Sequence, residues 1–322
     1  MKRKKIFITG GAGFIGANLV RYLLDKPGFD LTVYDNLSAC SIGNLKRAQK
    51  DSKQRGRLKF VKADILDFSR LSRAMRGHDA VVHLAAHTRV VESLKNPQKN
   101  FRVNSIGTFN VLETARKNEV KKVVFASSNA AVGEQTPPIN EKMVPKPLSP
   151  YGSTKLFGEG LCAAYFNSYG LKTVSLRFAN AYGPYSEHKT SVVAKFIRRI
   201  RKGKPLEIYG DGKQTRDFIH AEDICQAIFR ILRARSSKSG LWGSVFQIAT
   251  GRETKVIDLA KFIQAYVAVL SSKEKRMIFS QARIGEIRKN YSDIRKAKRL
   301  LKFKPRIRLQ NGLKNLWHKG EQ

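Results

Sequence analysis

A tyrosine and a lysine stand four residues apart in Tyr151-Gly-Ser-Thr-Lys155, a spacing that brings both side chains to one face of a helix. A phenol titrates near pH ~10 and is a poor base at neutrality. An ammonium one turn away favours the phenolate and is expected to lower that value. The pair is then a general acid/base, able to take a proton from a hydroxyl and return it. The pattern is short and matches many surface helices by chance, so its meaning depends on its surroundings. Upstream, a β run at residues 122–126 enters Ser127-Ser128-Asn129-Ala130-Ala131-Val132-Gly133. A hydroxyl at the C-terminal end of a strand lies where an open α/β sheet places its chemistry. Ser128 is therefore the second candidate, although without Tyr151 the stretch would read as a serine-rich loop.

These residues need a scaffold, and the first 180 residues supply one. An apolar strand at residues 5–9 runs into Gly10-Gly-Ala-Gly13-Phe14-Ile15-Gly16, then into the helical pattern Phe14–Leu24. Strand, glycine turn and helix in that order form the context of a dinucleotide loop. Gly10 allows the tight turn, Gly13 lets the backbone approach a pyrophosphate at the helix N-terminus, and Gly16 lets helix and strand pack closely. A second strand at 31–34 ends in Asp35-Asn36; an acidic residue there suits adenosine ribose hydroxyls and repels a 2′-phosphate, favouring NAD over NADP. Strands at 58–63 and 80–84 end in Asp64-Ile65 and Leu84-Ala85-Ala86, positioned to frame an adenine and to admit a cofactor close to the backbone. His83 and His87 lack carboxylate or cysteine partners at ligand spacing, so they read as structural, with no metal expected. Residues 100–117 read as one long amphipathic helix whose Asn104 ties it to a neighbouring loop and counts among the expected cofactor-binding residues. Helix 151–169 and a sixth strand at 173–178 complete a doubly wound α/β sheet with helices on both faces.

Beyond Asn180-Ala-Tyr182-Gly183-Pro184 the alternation becomes irregular. Helices are expected at 191–202, Ala221–Arg233, Val256–Leu270 and 292–301, with a short strand at Leu206–Tyr209. The proline-rich stretch between Thr136 and Pro150 reads as an exposed loop forming one wall of a substrate pocket. The expected division is a Rossmann domain at 1–178, joined by a returning segment at about 217–249, and a smaller mixed domain from the rest of 179–322. The chain carries 62 Lys and Arg against 25 Asp and Glu, a net charge of +37. Such a charge attracts polyanions. The cations are nevertheless spread along the chain, with runs such as Arg295-Lys296-Ala-Lys298-Arg299. Neither zinc-finger spacing nor a basic block interleaved with aromatics is present, which argues against specific nucleic-acid binding. Three scattered cysteines, at 40, 162 and 225, fit a reducing, cytoplasmic setting without a disulfide framework. The basic N-terminus leads into a strand rather than a signal peptide, and no stretch is long enough to span a membrane.

Taken together, Gly10–Gly16, Asp35, Asp64, Leu84–Ala86, Ser127-Ser128, Tyr151–Lys155, Arg177-Phe-Ala-Asn180, Tyr182-Gly-Pro184, Gly210-Asp-Gly-Lys-Gln-Thr-Arg216-Asp217-Phe-Ile-His220 and Arg283-Ile-Gly285-Glu286 carry a likeness over nearly the whole chain. The sequence resembles the extended short-chain dehydrogenase/reductases, and among them the nucleotide-sugar epimerases and dehydratases, most of all the UDP-glucose (UDP-galactose) 4-epimerases. The resemblance implies a bound NAD, a UDP-sugar substrate and a homodimer paired through residues 100–117 and 153–169. It implies Ser128, Tyr151 and Lys155 as the catalytic residues, the last two also touching NAD, and a transient 4-keto sugar. Asn180, Arg216, Arg283 and Glu286 would hold the nucleotide, arginine suiting diphosphate through its planar fork. The dehydratases' acidic pair after the catalytic hydroxyl is here Asn129-Ala130, and the glutamate of the UDP-glucuronate decarboxylases is missing, so both of those branches are disfavoured. Phe178, in place of a tyrosine, and Ala131-Val132-Gly133 depart from the epimerase pattern, leaving an N-acetylhexosamine or uronate substrate open. The contrasting expectation is a basic protein that has lost catalysis and binds nucleic acid or a partner.

Overall fold

The computed structural model describes residues 3–318 except 54–56, 236, 238, 271–275 and 283–286. Strands and helices alternate through its first part: β1 (Lys4–Thr9), α1 (Phe14–Leu24), β2 (Phe29–Asp35), α2 (Gly43–Lys50), β3 (Arg57–Lys62), α3 (Phe68–Met75), β4 (Ala80–His83), α4 (Val90–Lys95), α5 (Pro97–Phe101), α6 (Gly107–Lys117), β5 (Lys122–Ser128), α7 (Pro150–Tyr169) and β6 (Lys172–Phe178). Then follow β7 (Asn180–Tyr182), α8 (Val192–Arg201), β8 (Leu206–Tyr209), β9 (Thr215–Arg216), β10 (Phe218–His220), α9 (Ala221–Arg233), β11 (Ser244–Ile248), β12 (Thr254–Lys255), α10 (Val256–Leu270), β13 (Met277–Ser280), α11 (Arg295–Leu301) and α12 (Leu309–His318).

Among the described residues, seven strands form one sheet in the order β11-β6-β5-β4-β1-β2-β3, every pair parallel. Helices cover both faces because the apolar residues alternate between two cores. Ile6, Ile8, Val82 and Val124 pack with α1 and α9 on one face. Phe7, Val81, Val123 and Phe125 pack with α3, α6 and α7 on the other. The central strands β1, β4 and β5 are thus apolar on both faces, as a buried parallel sheet requires, while the edge strand β3 alternates with exposed Arg57, Lys59 and Lys62. Strand order reverses between β1 and β4, opening a crevice at the C-terminal strand ends. β11 is a seventh strand, absent from the six read in the sequence; it sits beside β6 in register Ser244 to Val174.

A third core, built on Val193, Phe196, Leu206, Ile208, Leu259 and Ile263, belongs to the smaller unit. Its strands pair in twos, parallel for β13 with β8 and antiparallel for β12 with β9. Three sequence expectations need correction. The helix expected at 100–117 is interrupted by a π-helical turn at Arg102–Ile106. The helix expected at 292–301 begins at Arg295; Ser292 accepts from Asn129 and is buried. The loop after Thr136 is not simply exposed: Ile139 is buried and exchanges backbone hydrogen bonds with Tyr291 and Asp293, strapping the two units together.

Candidate functional site

The glycine turn is built by close approach. Gly10 has φ +71, and a Cβ there would lie 2.5 Å from the Ala85 amide nitrogen. A Cβ on Gly16 would lie 2.3 Å from the Gly10 carbonyl oxygen, so the first turn of α1 rests on the loop. Gly13 is the N-cap of α1, with no side chain capping it and no acidic residue in the first turn. The first amides of the helix thus keep the donor capacity and positive dipole end that receive a phosphate. Phe14, Ile15, residues 34–36, 63–65 and 84–88 line the cleft above this turn.

Asp35 closes the end of β2. Its carboxylate accepts from the Ala12 amide at 3.0 Å and the Leu37 amide at 2.8 Å. Burial raises its pKa and these two amides act against that. Two oxygens have lone pairs left for ribose hydroxyls. Asn36 donates to Asp64 at 2.7 Å, and Asp64 accepts from the Leu66 amide at 2.9 Å, so Asp64 locks the ends of β2 and β3 beside Ile65. Leu84, Ala85 and Ala86 present small side chains and backbone to the cleft.

The expected acid/base group assembles around α7. Ser149 caps the helix by accepting from the Gly152 amide at 3.1 Å, and Pro150 occupies its first turn, a favoured start signal. A Cβ on Gly152 would lie 2.3 Å from the Ala130 carbonyl oxygen, and one on Gly158 2.4 Å from the Phe125 ring. The helix is therefore pressed onto the end of β5. There the Ser128 hydroxyl lies beside the Tyr151 phenol and favours its ionised form, while accepting from the Ala130 amide at 3.2 Å. Lys155 Nζ donates to the Ala126 carbonyl at 2.8 Å and sits 5.9 Å from the Tyr151 ring centroid. Tyr151 is 7% exposed and Lys155 4%.

The electrostatics correct the simplest expectation. Burial pushes the Tyr151 phenol up to about 12, with the Ser128 hydroxyl acting against it. Burial pulls the Lys155 ammonium down to about 8, while the Glu159 carboxylate supports its charge. In this arrangement desolvation outweighs the cation, because Nζ faces the Ala126 carbonyl rather than the phenol oxygen. Glu159 lies one turn beyond Lys155, forms a bidentate pair with Arg177 at 2.8 and 2.7 Å, and accepts from Ser127. The pair is almost fully buried; removing one partner of such a pair costs roughly 3–5 kcal/mol.

Other residues hold the site in place. Asn104, in the π-helical turn, accepts from the His87 amide at 2.8 Å and donates to Thr154 Oγ1 at 3.1 Å. Its amide joins the cleft-lining loop to α7, the loop tie expected of it. His83 is bracketed by Thr9 at 2.7 Å and Thr108 at 3.0 Å. Burial lowers its pKa to about 3, so it stays neutral and structural.

The second unit is less compactly arranged. Asn180 is exposed on β7. The Arg216 guanidinium donates to the Thr215 and Ile287 carbonyls, each at 2.7 Å. Arg283 and Glu286 lie outside the described residues. Sequence reasoning missed His188 and Lys189, which line the cleft; Lys189 Nζ donates to Thr88 Oγ1 at 3.0 Å. Their one local signal is that they follow Tyr182-Gly-Pro184. Asn129, read only as a missing acid, donates to Asn290 at 3.3 Å and Ser292 at 3.0 Å, and so ties the two units.

Residues 6–249 match the profile of the NAD dependent epimerase/dehydratase family. A putative UDP-glucose 4-epimerase of Methanocaldococcus jannaschii is 34% identical over 98% of this chain and 98% of its own length. The crystal structure of the UDP-glucose 4-epimerase of Thermotoga maritima with UDP-glucose superposes with a TM-score of 0.87 at 33% identity, covering 99% of this chain and 100% of that one. The UDP-glucuronic acid 4-epimerase of Bacillus cereus, in complex with UDP-glucuronic acid and NAD, also superposes with a TM-score of 0.87, at 31% identity over 99% of this chain and 100% of that one.

Proposed function

We propose, since this chain belongs to the NAD-dependent epimerase/dehydratase family, that it inverts a UDP-sugar at C4 through a transient 4-keto sugar, with UDP-glucose and UDP-galactose as the pair interconverted. The observation that carries this reading is the buried Tyr151, with the Ser128 hydroxyl beside it and Lys155 over its ring, at the C-terminal end of β5. The glycine turn, with its uncapped helix N-terminus, fits a dinucleotide pyrophosphate, and the Asp35 carboxylate fits an unphosphorylated ribose. Gly10, Gly13, Phe14, Ile15, Gly16, Asp35, Asn36, Asp64, Ile65 and residues 84–86 would hold NAD, with Asn104 supporting the loop at His87.

Bound NAD supplies the hydride acceptor and donor. The protein supplies proton transfer and orientation. Tyr151 takes the proton of the sugar 4-hydroxyl and returns it to the same oxygen once the 4-keto sugar has rotated, so that C4 receives the returning hydride on its other face; Ser128 donates to that oxygen as charge develops on it. Lys155 supplies the positive charge that stabilises the phenolate once Nζ turns from the Ala126 carbonyl to the phenol. We assign residues 1–178 and the segment near 217–249 to the dinucleotide. The rest of 179–322 goes to the nucleotide sugar, through Asn180, Arg216, Arg283 and Glu286.

Replacing Tyr151 with Phe tests the mechanism. The variant is expected to co-purify with NAD and to lose turnover of UDP-glucose by about 10²–10⁴-fold, the range of one acid/base group. Normal turnover by the variant would overturn the assignment. Parallel assays with UDP-glucuronate and UDP-N-acetylglucosamine fix the sugar; faster turnover of either would replace UDP-glucose in this reading.

Two copies are proposed to pair through α5, α6 and α7. Phe101, Ile106, Phe109 and Phe157 are exposed there at 53, 44, 44 and 43%, and an apolar face of this kind marks a partner surface. Sedimentation should give a dimer for the wild type and a monomer for Phe101→Asp combined with Phe157→Asp; a wild-type monomer at micromolar concentration would rule the pairing out.

A further inference from the structure

Among the concavities described, the one of about 630 Å³ is not at the cofactor cleft. It lies at the other rim of the sheet, between the last turns of α1 and α9 and the end of α11. Its place follows from Lys122, the first residue of β5, whose Nζ reaches the Ala234 and Leu232 carbonyls at 2.6 and 3.4 Å. The C-terminus of α9 therefore meets the N-terminal ends of the strands.

Lys26, Arg230, Arg233, Lys302 and Arg306 line this groove, and no carboxylate does. Cations near a helix C-terminus are favourable without any ligand. Here, however, Lys122 already serves the final carbonyls of α9. Nearby acids are engaged elsewhere: Asp223 accepts from the Arg306 and Ile307 amides, Glu222 pairs with Arg21, and Asp25 accepts from Ser52 and Lys53. Among the described residues, none of the five lining cations has an ion-pair partner.

The floor is aromatic. Tyr22 and Phe229 meet edge to face at 5.9 Å and are half-buried. Lys26 lies over the Tyr22 ring at 5.1 Å and Arg233 over the Phe229 ring at 5.9 Å. Cations interleaved with aromatic rings in a groove form the pattern that tracks a single strand, phosphates on the charges and bases against the rings. The sequence lacks such interleaving because the residues come from three separate segments: the end of α1 with the turn after it, α9, and the stretch after α11.

We propose that this groove binds single-stranded nucleic acid without sequence preference. A bilayer surface fits less well, because the site is concave and none of the described exposed large apolar side chains lines it. The inference is independent of the epimerase reading, since the groove shares no lining residue with the cofactor cleft.

The test uses the NAD-loaded full chain and a fluorescein-labelled oligothymidylate of about 12 nucleotides, within the usual site sizes, followed by anisotropy across a salt series. Each phosphate deprived of its cation should reduce the log–log salt slope by about 0.7. The double variant Arg230→Gln/Arg233→Gln should therefore lower the slope by about 1.4 and weaken binding about 20-fold at ~0.1 M salt. Its melting temperature and NAD content should be those of the wild type. The control Lys255→Gln/Lys261→Gln, removing two exposed cations of the second unit, should change neither slope nor affinity. Equal weakening in control and groove variants would show diffuse surface attraction and overturn the proposal. So would absence of binding by the wild type, or binding to phosphatidylglycerol vesicles alone that depends on the same arginines.

Discussion

The sheet unit and the smaller unit present their candidate ligands in different ways. Around the cleft, the groups that would meet a dinucleotide are mostly backbone: amides at the start of α1, and strand ends cleared by Gly10, Ala85 and Ala86. In the smaller unit they are side chains, Asn180 on a three-residue strand and Arg216 on a two-residue one. Arg216 already spends hydrogen bonds on the Thr215 and Ile287 carbonyls. A site made of backbone is fixed when the fold forms. A site made of side chains keeps rotameric freedom and settles around its ligand, at an entropic cost of roughly 0.5–1.5 kcal/mol per ordered side chain.

Three substitutions can break or sharpen that contrast. The largest effect is expected from Gly16→Val, because a Cβ there meets backbone at Gly10 and Gly11, which cannot move aside cheaply. It should abolish NAD retention and destabilise the chain by about 1–3 kcal/mol or more, seen as a lower melting temperature. NAD held at wild-type stoichiometry would show that the turn is not the cradle.

A smaller effect is expected from Arg216→Lys, which keeps the charge but loses the planar fork. The KM for the UDP-sugar should rise about tenfold, corresponding to ~1.4 kcal/mol, with NAD content unchanged. An equal fall in NAD affinity would erase the division between the units.

The smallest effect concerns pH. Burial draws Lys122 down to about 8, with Lys4, Lys172 and Lys121 adding to it. Its unfolded value is about 10.4. Between those two values the unfolded chain binds a proton that the folded chain does not. The contribution of Lys122 to stability therefore rises with pH from about 8 to about 10. Urea midpoints should show that rise, and Lys122→Met should flatten it; an unchanged slope in the variant would refute the assignment.

Legibility in the sequence follows the same physical line. The strands at 5–9, 80–84 and 122–126 are readable as mostly apolar runs ending at a turn signal, and those at 58–63 and 173–178 as alternating ones. Helix α9 is readable because its apolar residues keep a 3.6-residue period. β11 is harder: it is short, follows the turn at Gly243, and acquires its place only by pairing with β6. The π-helical turn at Arg102–Ile106 leaves the apolar period almost unchanged, so the sequence reads as one helix where the backbone contains an extra-wide turn. In the candidate site, the residue types and their strand-end positions are readable. The direction of the Lys155 ammonium is not, because it depends on the Ala126 carbonyl, 29 residues away in sequence.

Local spacing alone determined the glycine turn, the acidic strand end and the tyrosine–lysine pair, since each is set by geometry within one or two turns of chain. Tertiary packing alone decided that burial overrides the lysine at the phenol, that Asn129 and Ile139 join the units, and that basic residues from three separate chain segments meet over two aromatic rings. Desolvation and long-range side-chain pairing are properties of what surrounds a residue in space, and neighbours along the chain do not specify them.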